Sequence, residues 1–162
     1  MQQRIINRVE SDPHYHRYLQ SFEPKSDGSA AAAIILAARQ AARTVGAKAI
    51  VSFTVGGTTA KRASKKRPDV PILAISPLQE TCRQLALCWG VYPEFSTADD
   101  YDTDYFRDML QAACNIAIKK GLVSDPNDLL VVTAGFPFGT PGAANVMRIV
   151  PAAGPTHWDA SL

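Results

Sequence analysis

The stretch "AIVSFTVGGTTAKRASKKRPDVPILAIS", residues 49–76, contains two short apolar runs, AIVSF and ILAIS, of the kind that fills buried strands. Between them lie two glycines, three threonines and a basic segment, 58–67, with helical spacing. Strand, glycine turn, helix, strand is a parallel crossover unit. Strands with no polar alternation need helices over both faces of their sheet.

The C-terminal side repeats the alternation. Ser76, Pro77 and Gln79 suit the cap, first and third positions of a helix that turns Cys82, Leu85, Ala86 and Trp89 inward and stops at Gly90. "VYPEF", residues 91–95, is a strand whose proline assigns it to a sheet edge. A helix over about 103–120 places Phe106, Met109, Leu110, Ala113 and Ala117 on one face and ends at Gly121. "DLLVVTA", 128–134, is the clearest strand, and "VMRIV", 146–150, is the last.

On the N-terminal side, "SAAAAIILAARQAARTV", 29–45, forms a helix capped from Asp27 and closed by Gly46. Its apolar face comprises Ile34, Ile35, Ala38, Ala41, Ala42 and Val45. "MQQRIINRVE" opens the chain as a short helix with Ile5, Ile6 and Val9 on one side. Residues 11–29, interrupted by Pro13 and Pro24, read as an irregular connector. The expected fold is α/β: a three-layer α/β/α sandwich over a mixed, mostly parallel sheet of about five strands. The link between the last two strands carries no helix, so the final strand should run antiparallel.

Composition narrows the function. The chain has 162 residues, 46% hydrophobic and 20% charged, with net charge +2, enough for one compact domain and too balanced to imply a polyanionic partner. Cys82, Cys88 and Cys114 form no CxxC pair, so buried free thiols in a reducing, cytoplasmic setting are expected. No apolar run approaches the ~20 residues of a membrane span, and Met1 is followed by polar residues, so neither membrane nor secretion is expected.

The glycine turn is the feature with chemical content. Gly56 and Gly57 allow close backbone approach, Thr54, Thr58 and Thr59 bring hydroxyls, and the following helix dipole favours an anion. The spacing is neither GxxxxGK[ST] nor GxGxxG, so nucleotide hydrolysis and dinucleotide binding are not indicated. Two readings stay open: a phosphate cradle, or an ordinary tight turn capped by a threonine. A second glycine segment, "TAGFPFGTPGAAN", falls at another strand's carboxyl end and brings Gly135, Gly139, Thr140 and Gly142 toward the same cleft.

The cluster Lys61, Arg62, Lys65, Lys66 and Arg67 lacks interleaved aromatics and reads as a solvated helix face, so nucleic acid is not expected. His14, His16 and His157 read as surface residues. Asp99, Asp100, Asp102 and Asp104 lack a calcium loop's glycine and closing glutamate, and Cys88 has no histidine partner. No catalytic residue and no metal site are expected.

Residues 49–93, above all "RQLALCWGVYP", and the late "LLVVTAGFPFGTPGAANVMRIV" resemble the C-terminal domain of pyruvate kinases. The resemblance spans about 27–151. It makes 1–26 the remnant of the last catalytic-barrel helix and its exit, and 152–162 a private tail. It implies an allosteric domain that also helps build a dimer or tetramer. Its phosphorylated effector would sit at Thr54, Gly56, Gly57, Thr58 and Thr59, with the loop of Gly139 to Gly142 closing over it.

Two departures qualify the match. Members activated by fructose 1,6-bisphosphate carry a hydroxyl residue where Gly56 stands. They also carry a tryptophan and an arginine where a gap-free match gives Asp102 and Met109, with Arg107 nearby. A monophosphate such as AMP or a sugar phosphate fits better than the bisphosphate. The family's phosphoryl transfer from phosphoenolpyruvate to ADP uses barrel residues with magnesium and potassium, and those motifs have no counterpart in this sequence. This chain alone is therefore expected to be non-catalytic. The alternatives are a free-standing phosphometabolite-binding protein or small enzyme using the same cleft, and an assembly-only domain.

Overall fold

The computed structural model describes residues 2–21, 28–97, 106–136 and 144–154. Two short helices, α1 (Gln2–Glu10) and α2 (Pro13–Ser21), precede the long α3 (Ala30–Val45). Then follow β1 (Ala49–Phe53), α4 (Thr58–Lys65), β2 (Ile72–Ser76), α5 (Gln79–Leu85), β3 (Val91–Phe95), α6 (Phe106–Lys119), β4 (Leu129–Ala134) and β5 (Val146–Pro151).

The sheet order is β3-β2-β1-β4-β5. Its first four strands are parallel and β5 is antiparallel to β4, as the sequence led one to expect. Every residue of β1 and β2 is buried, which explains the lack of alternation in their sequences. On one face, Ile50, Ile72, Ala74 and Val131 pack against α3, α4 and α5 through Ile35, Ala38, Ala42, Ala60, Ala63 and Leu85. On the other, Val51, Phe53, Leu73, Ile75, Leu130 and Val132 meet α6 through Met109, Leu110, Ala113 and Ala117. Three layers result, with a single helix on the second face among the described residues.

Small residues let α3 lie close to the sheet: Ala31, Ala32, Ala38 and Ala42 are all buried, whereas Val45 lies on the exposed side. Its N-cap is Ser29, whose Oγ accepts the Ala32 N–H at 3.2 Å, and Gly46 at φ 64° ends it. The expected cap, Asp27, lies outside the described residues.

Two expectations are corrected. The connector contains a helix, α2, because Pro13 occupies its first position, where a missing N–H costs nothing. Asp12 caps it, with Oδ1 accepting the His14 N–H at 2.7 Å. The helix expected after Ser76 begins at Gln79 instead. Ser76 remains in the sheet: its hydroxyl donates to the Val55 carbonyl at 3.1 Å and accepts the Leu78 N–H at 3.2 Å. α5 then ends at Leu85, so Ala86 is exposed and Trp89, in the turn before β3, is half-buried.

β3 is the edge strand its proline implied. The Ser96 N–H donates inward to the Ser76 carbonyl, so by alternation the nitrogen of Pro93 faces the free edge, where no donor is needed.

Candidate functional site

β1 and β4 are neighbours, and at that point the chain's strand order reverses: β2 and β3 are added on one side, β5 on the other. The crevice beyond the carboxyl ends of such strands is where an open α/β sheet holds ligands. Thr54 and Gly135 each lie two residues beyond the Ser52–Thr133 pair, so the two glycine segments leave the sheet side by side. Gly139, Thr140 and Gly142 lie outside the described residues.

The turn at 54–59 is built from inside. The Thr54 N–H extends the sheet by donating to the Ile75 carbonyl at 3.0 Å. The buried Thr54 Oγ1 accepts the Gly57 N–H, also at 3.0 Å. Gly57 takes φ 78°, a conformation a side chain resists, and serves as the N-cap of α4. A Cβ there would come within 3.2 Å of Thr81 Cγ2 and 3.3 Å of Leu85 Cδ2, so this glycine looks into the core. Gly56 is the opposite case: it is exposed, and a Cβ on it meets nothing within 4 Å.

No side chain caps α4. The N–H groups of its first turn, at Thr58 and Thr59, therefore keep their donor capacity at the positive end of the helix dipole. Thr58 is exposed and Thr59 buried. Lys61, one turn on, donates to Gln84 Oε1 at 3.2 Å and bridges α4 to α5.

The second segment is pinned by a residue that the sequence reading did not single out. The Asn145 carboxamide accepts the Phe136 N–H at 2.8 Å and donates to the Phe136 carbonyl at 2.7 Å, while its own N–H donates to the Ala134 carbonyl. One side chain thus ties together the two ends of the 137–143 segment. An asparagine immediately before a strand, after a glycine-rich run, was the available signal.

Other candidates separate. Met109 is fully buried against the sheet and presents nothing to a ligand, whereas Arg107 is exposed. Asp102, with Asp99, Asp100, Asp104 and His157, lies outside the described residues, as does the side chain of His16. His14 is exposed on α2, its Nδ1 3.1 Å from Arg17 Nη2. Cys114 is buried, Cys82 and Cys88 half-buried, and none is in a disulfide. Burial pushes the Cys114 thiol up to about 11, away from nucleophilic chemistry. Among the described residues no three of His, Cys, Asp or Glu converge on a point that would hold a metal ion. No described helix is long and apolar enough to cross a membrane.

Together these features define an open α/β domain with a glycine–threonine turn leading into a helix at its switch point. Residues 32–150 match the family model of the pyruvate kinase alpha/beta domain, and the chain belongs to that family. A pyruvate kinase of Agrobacterium vitis is 40% identical over 150 residues, 92% of this chain and 30% of that protein. One from Staphylococcus haemolyticus is 36% identical over 145 residues, 90% of this chain and 24% of that protein. The crystal structure of a pyruvate kinase from Cryptosporidium parvum superposes with a TM-score of 0.68 at 25% identity, covering 85% of this chain and 25% of that one. The chain therefore spans less than a third of the length of these relatives.

Proposed function

We propose that this chain serves as the regulatory and subunit-associating domain of a pyruvate kinase, binding a phosphorylated small molecule at the 54–59 turn. One observation carries the reading: α4 starts on a left-handed glycine with no capping side chain, beside an exposed Gly56, at the crevice where strand order reverses. Uncapped N–H groups at such a helix start suit an anion. A monophosphate such as AMP or a sugar phosphate is favoured over fructose 1,6-bisphosphate. Gly56 offers no hydroxyl, and Met109, at one of the two positions matched to the second phosphate grip, is sealed in the core.

Phosphoryl transfer from phosphoenolpyruvate to ADP, with magnesium and potassium, belongs in this reading to a catalytic barrel that the relatives' additional length would contain. Residues 1–26 would be the exit from that barrel, 152–162 a tail, and the setting cytoplasmic. The described residues do not fit a metal ion, so no step through magnesium or potassium is derived for this chain. An assembly-only role has one observation in its favour: Thr54 already satisfies the Gly57 N–H, as a self-contained turn would.

Calorimetric and thermal-shift titration with inorganic phosphate, AMP and sugar monophosphates tests the reading in wild type, Thr58→Ala and Gly56→Val. A side chain at Gly56 clashes with nothing, so that variant obstructs the crevice while leaving the fold intact. A charge-assisted bond contributes about 1.5–3 kcal/mol, so losing the Thr58 hydroxyl should weaken binding roughly 10- to 100-fold. Equal shifts in all three proteins, or none, would leave the assembly-only role. An assay with phosphoenolpyruvate, ADP and magnesium should give no turnover from this chain.

A further inference from the structure

α1 is held to the body of the domain through a contact far from it in sequence. The indole Nε1 of Trp89 donates to Glu10 Oε1, at the last turn of α1, at 3.0 Å. Along α1 its Ile5, Ile6 and Val9 stand about half exposed. A helix attached in this way opens at low cost compared with the core.

The same indole is fixed by the far end of α4. The Arg67 guanidinium lies over its ring, 4.4 Å from the centroid, a favourable cation–π distance. The hydroxyl of Ser64, in the last turn of α4, donates to the Trp89 carbonyl at 2.7 Å. Arg67 reaches the ring from φ 47°, a left-handed backbone uncommon outside glycine, and its N–H donates to the Ser64 carbonyl at 3.0 Å. One eight-residue helix therefore has the glycine–threonine turn at its start and the grip on Trp89 at its end.

We propose that Trp89 is a latch through which docking of α1 and anion binding at the 54–59 turn are coupled, with α4 as the rigid link. This rests on the phosphate reading of the turn. An anion that orders the first turn of α4 also orders Ser64 and Arg67, and with them the indole that holds Glu10. Whichever event comes first has met part of the ordering cost of the other. The coupling is reciprocal by linkage: the factor by which anion strengthens docking is the factor by which docking strengthens anion binding.

The test uses the full 162-residue chain and two probes, inorganic phosphate and AMP, with affinity from calorimetry and hydrogen exchange at residues 2–10. Wild type should show about fivefold slower exchange in α1 at saturating probe. Glu10→Ala, which removes the acceptor, and Trp89→Phe, which keeps the ring beneath Arg67 but deletes the N–H, should each lose that slowing and bind the probe severalfold more weakly. Probe binding that leaves α1 exchange unchanged in wild type would overturn the latch while preserving the site. So would full retention of the coupling in both variants. Absence of binding by either probe in wild type would overturn both readings together.

Discussion

Ser52 sits on β1 beside Thr133 with no exposed surface, and its Oγ has no hydrogen-bond partner among the described residues. Thr133 differs, because its hydroxyl donates to the Val51 carbonyl at 3.2 Å. A buried hydroxyl without a partner carries its desolvation penalty uncompensated, so Ser52→Ala should raise stability by about 1 kcal/mol. Urea unfolding that gives a lower midpoint for the variant would expose a partner now unrecognised. Cys114 is a second single-residue case. Burial raises its thiol from 9.0 to about 11, while its Sγ points at the Pro151 carbonyl, 3.5 Å away. The folded protein thus holds this proton more tightly than the unfolded chain. The contribution is complete below pH 9.0, declines as pH rises through that window and is gone above about 11. It amounts to about 2–3 kcal/mol. Cys114→Ala should flatten that part of the stability curve, measured by denaturant unfolding between pH 8 and 11 relative to wild type (about one point per half unit suffices).

At the scale of elements, the Asn145 clamp sets how the second glycine segment leaves the sheet. Asn145→Ala removes two side-chain bonds to Phe136 at an exposed position and should cost about 1 kcal/mol. Hydrogen exchange should speed up at Phe136 while the interior of β4 stays protected; unchanged exchange at Phe136 would mean the clamp holds nothing. Three of the five strands, β1, β2 and β4, were legible because AIVSF, ILAIS and DLLVVTA are apolar runs bounded by Gly, Pro and Asp, and burial on both faces leaves few other uses for them. Helix ends were less legible where one residue serves two elements. Ser76 has the chemistry of a cap, yet its hydroxyl bonds to Val55 and its backbone stays in β2, which delays α5 to Gln79. Pro13 reads as a breaker until Asp12 is seen to cap the turn it begins. The candidate site was half legible: glycines and threonines at a strand end are visible in a string of letters. That Gly57 faces Leu85 while Gly56 faces open space depends on backbone direction, which the letters do not carry.

The whole molecule is a sheet with two unlike rims. The place of β5 at the end of the strand order leads us to expect self-association, with a two-fold pair the simplest closed form. Light scattering should show mass rising with concentration toward a dimer, and a strictly monomeric mass at high concentration would refute this. Pro93 then acquires a second meaning. A strand rim that lacks a donor at its centre is a poor template, so the β3 side is chemically shut, while among the described residues no strand covers the outer side of β5, which is the open side. Two copies joined open side to open side would present only shut sides to the next arrival. Growth would then be self-terminating, like a polymer chain capped at both ends. Pro93→Val should remove that cap and let concentrated samples run on into larger, scattering species.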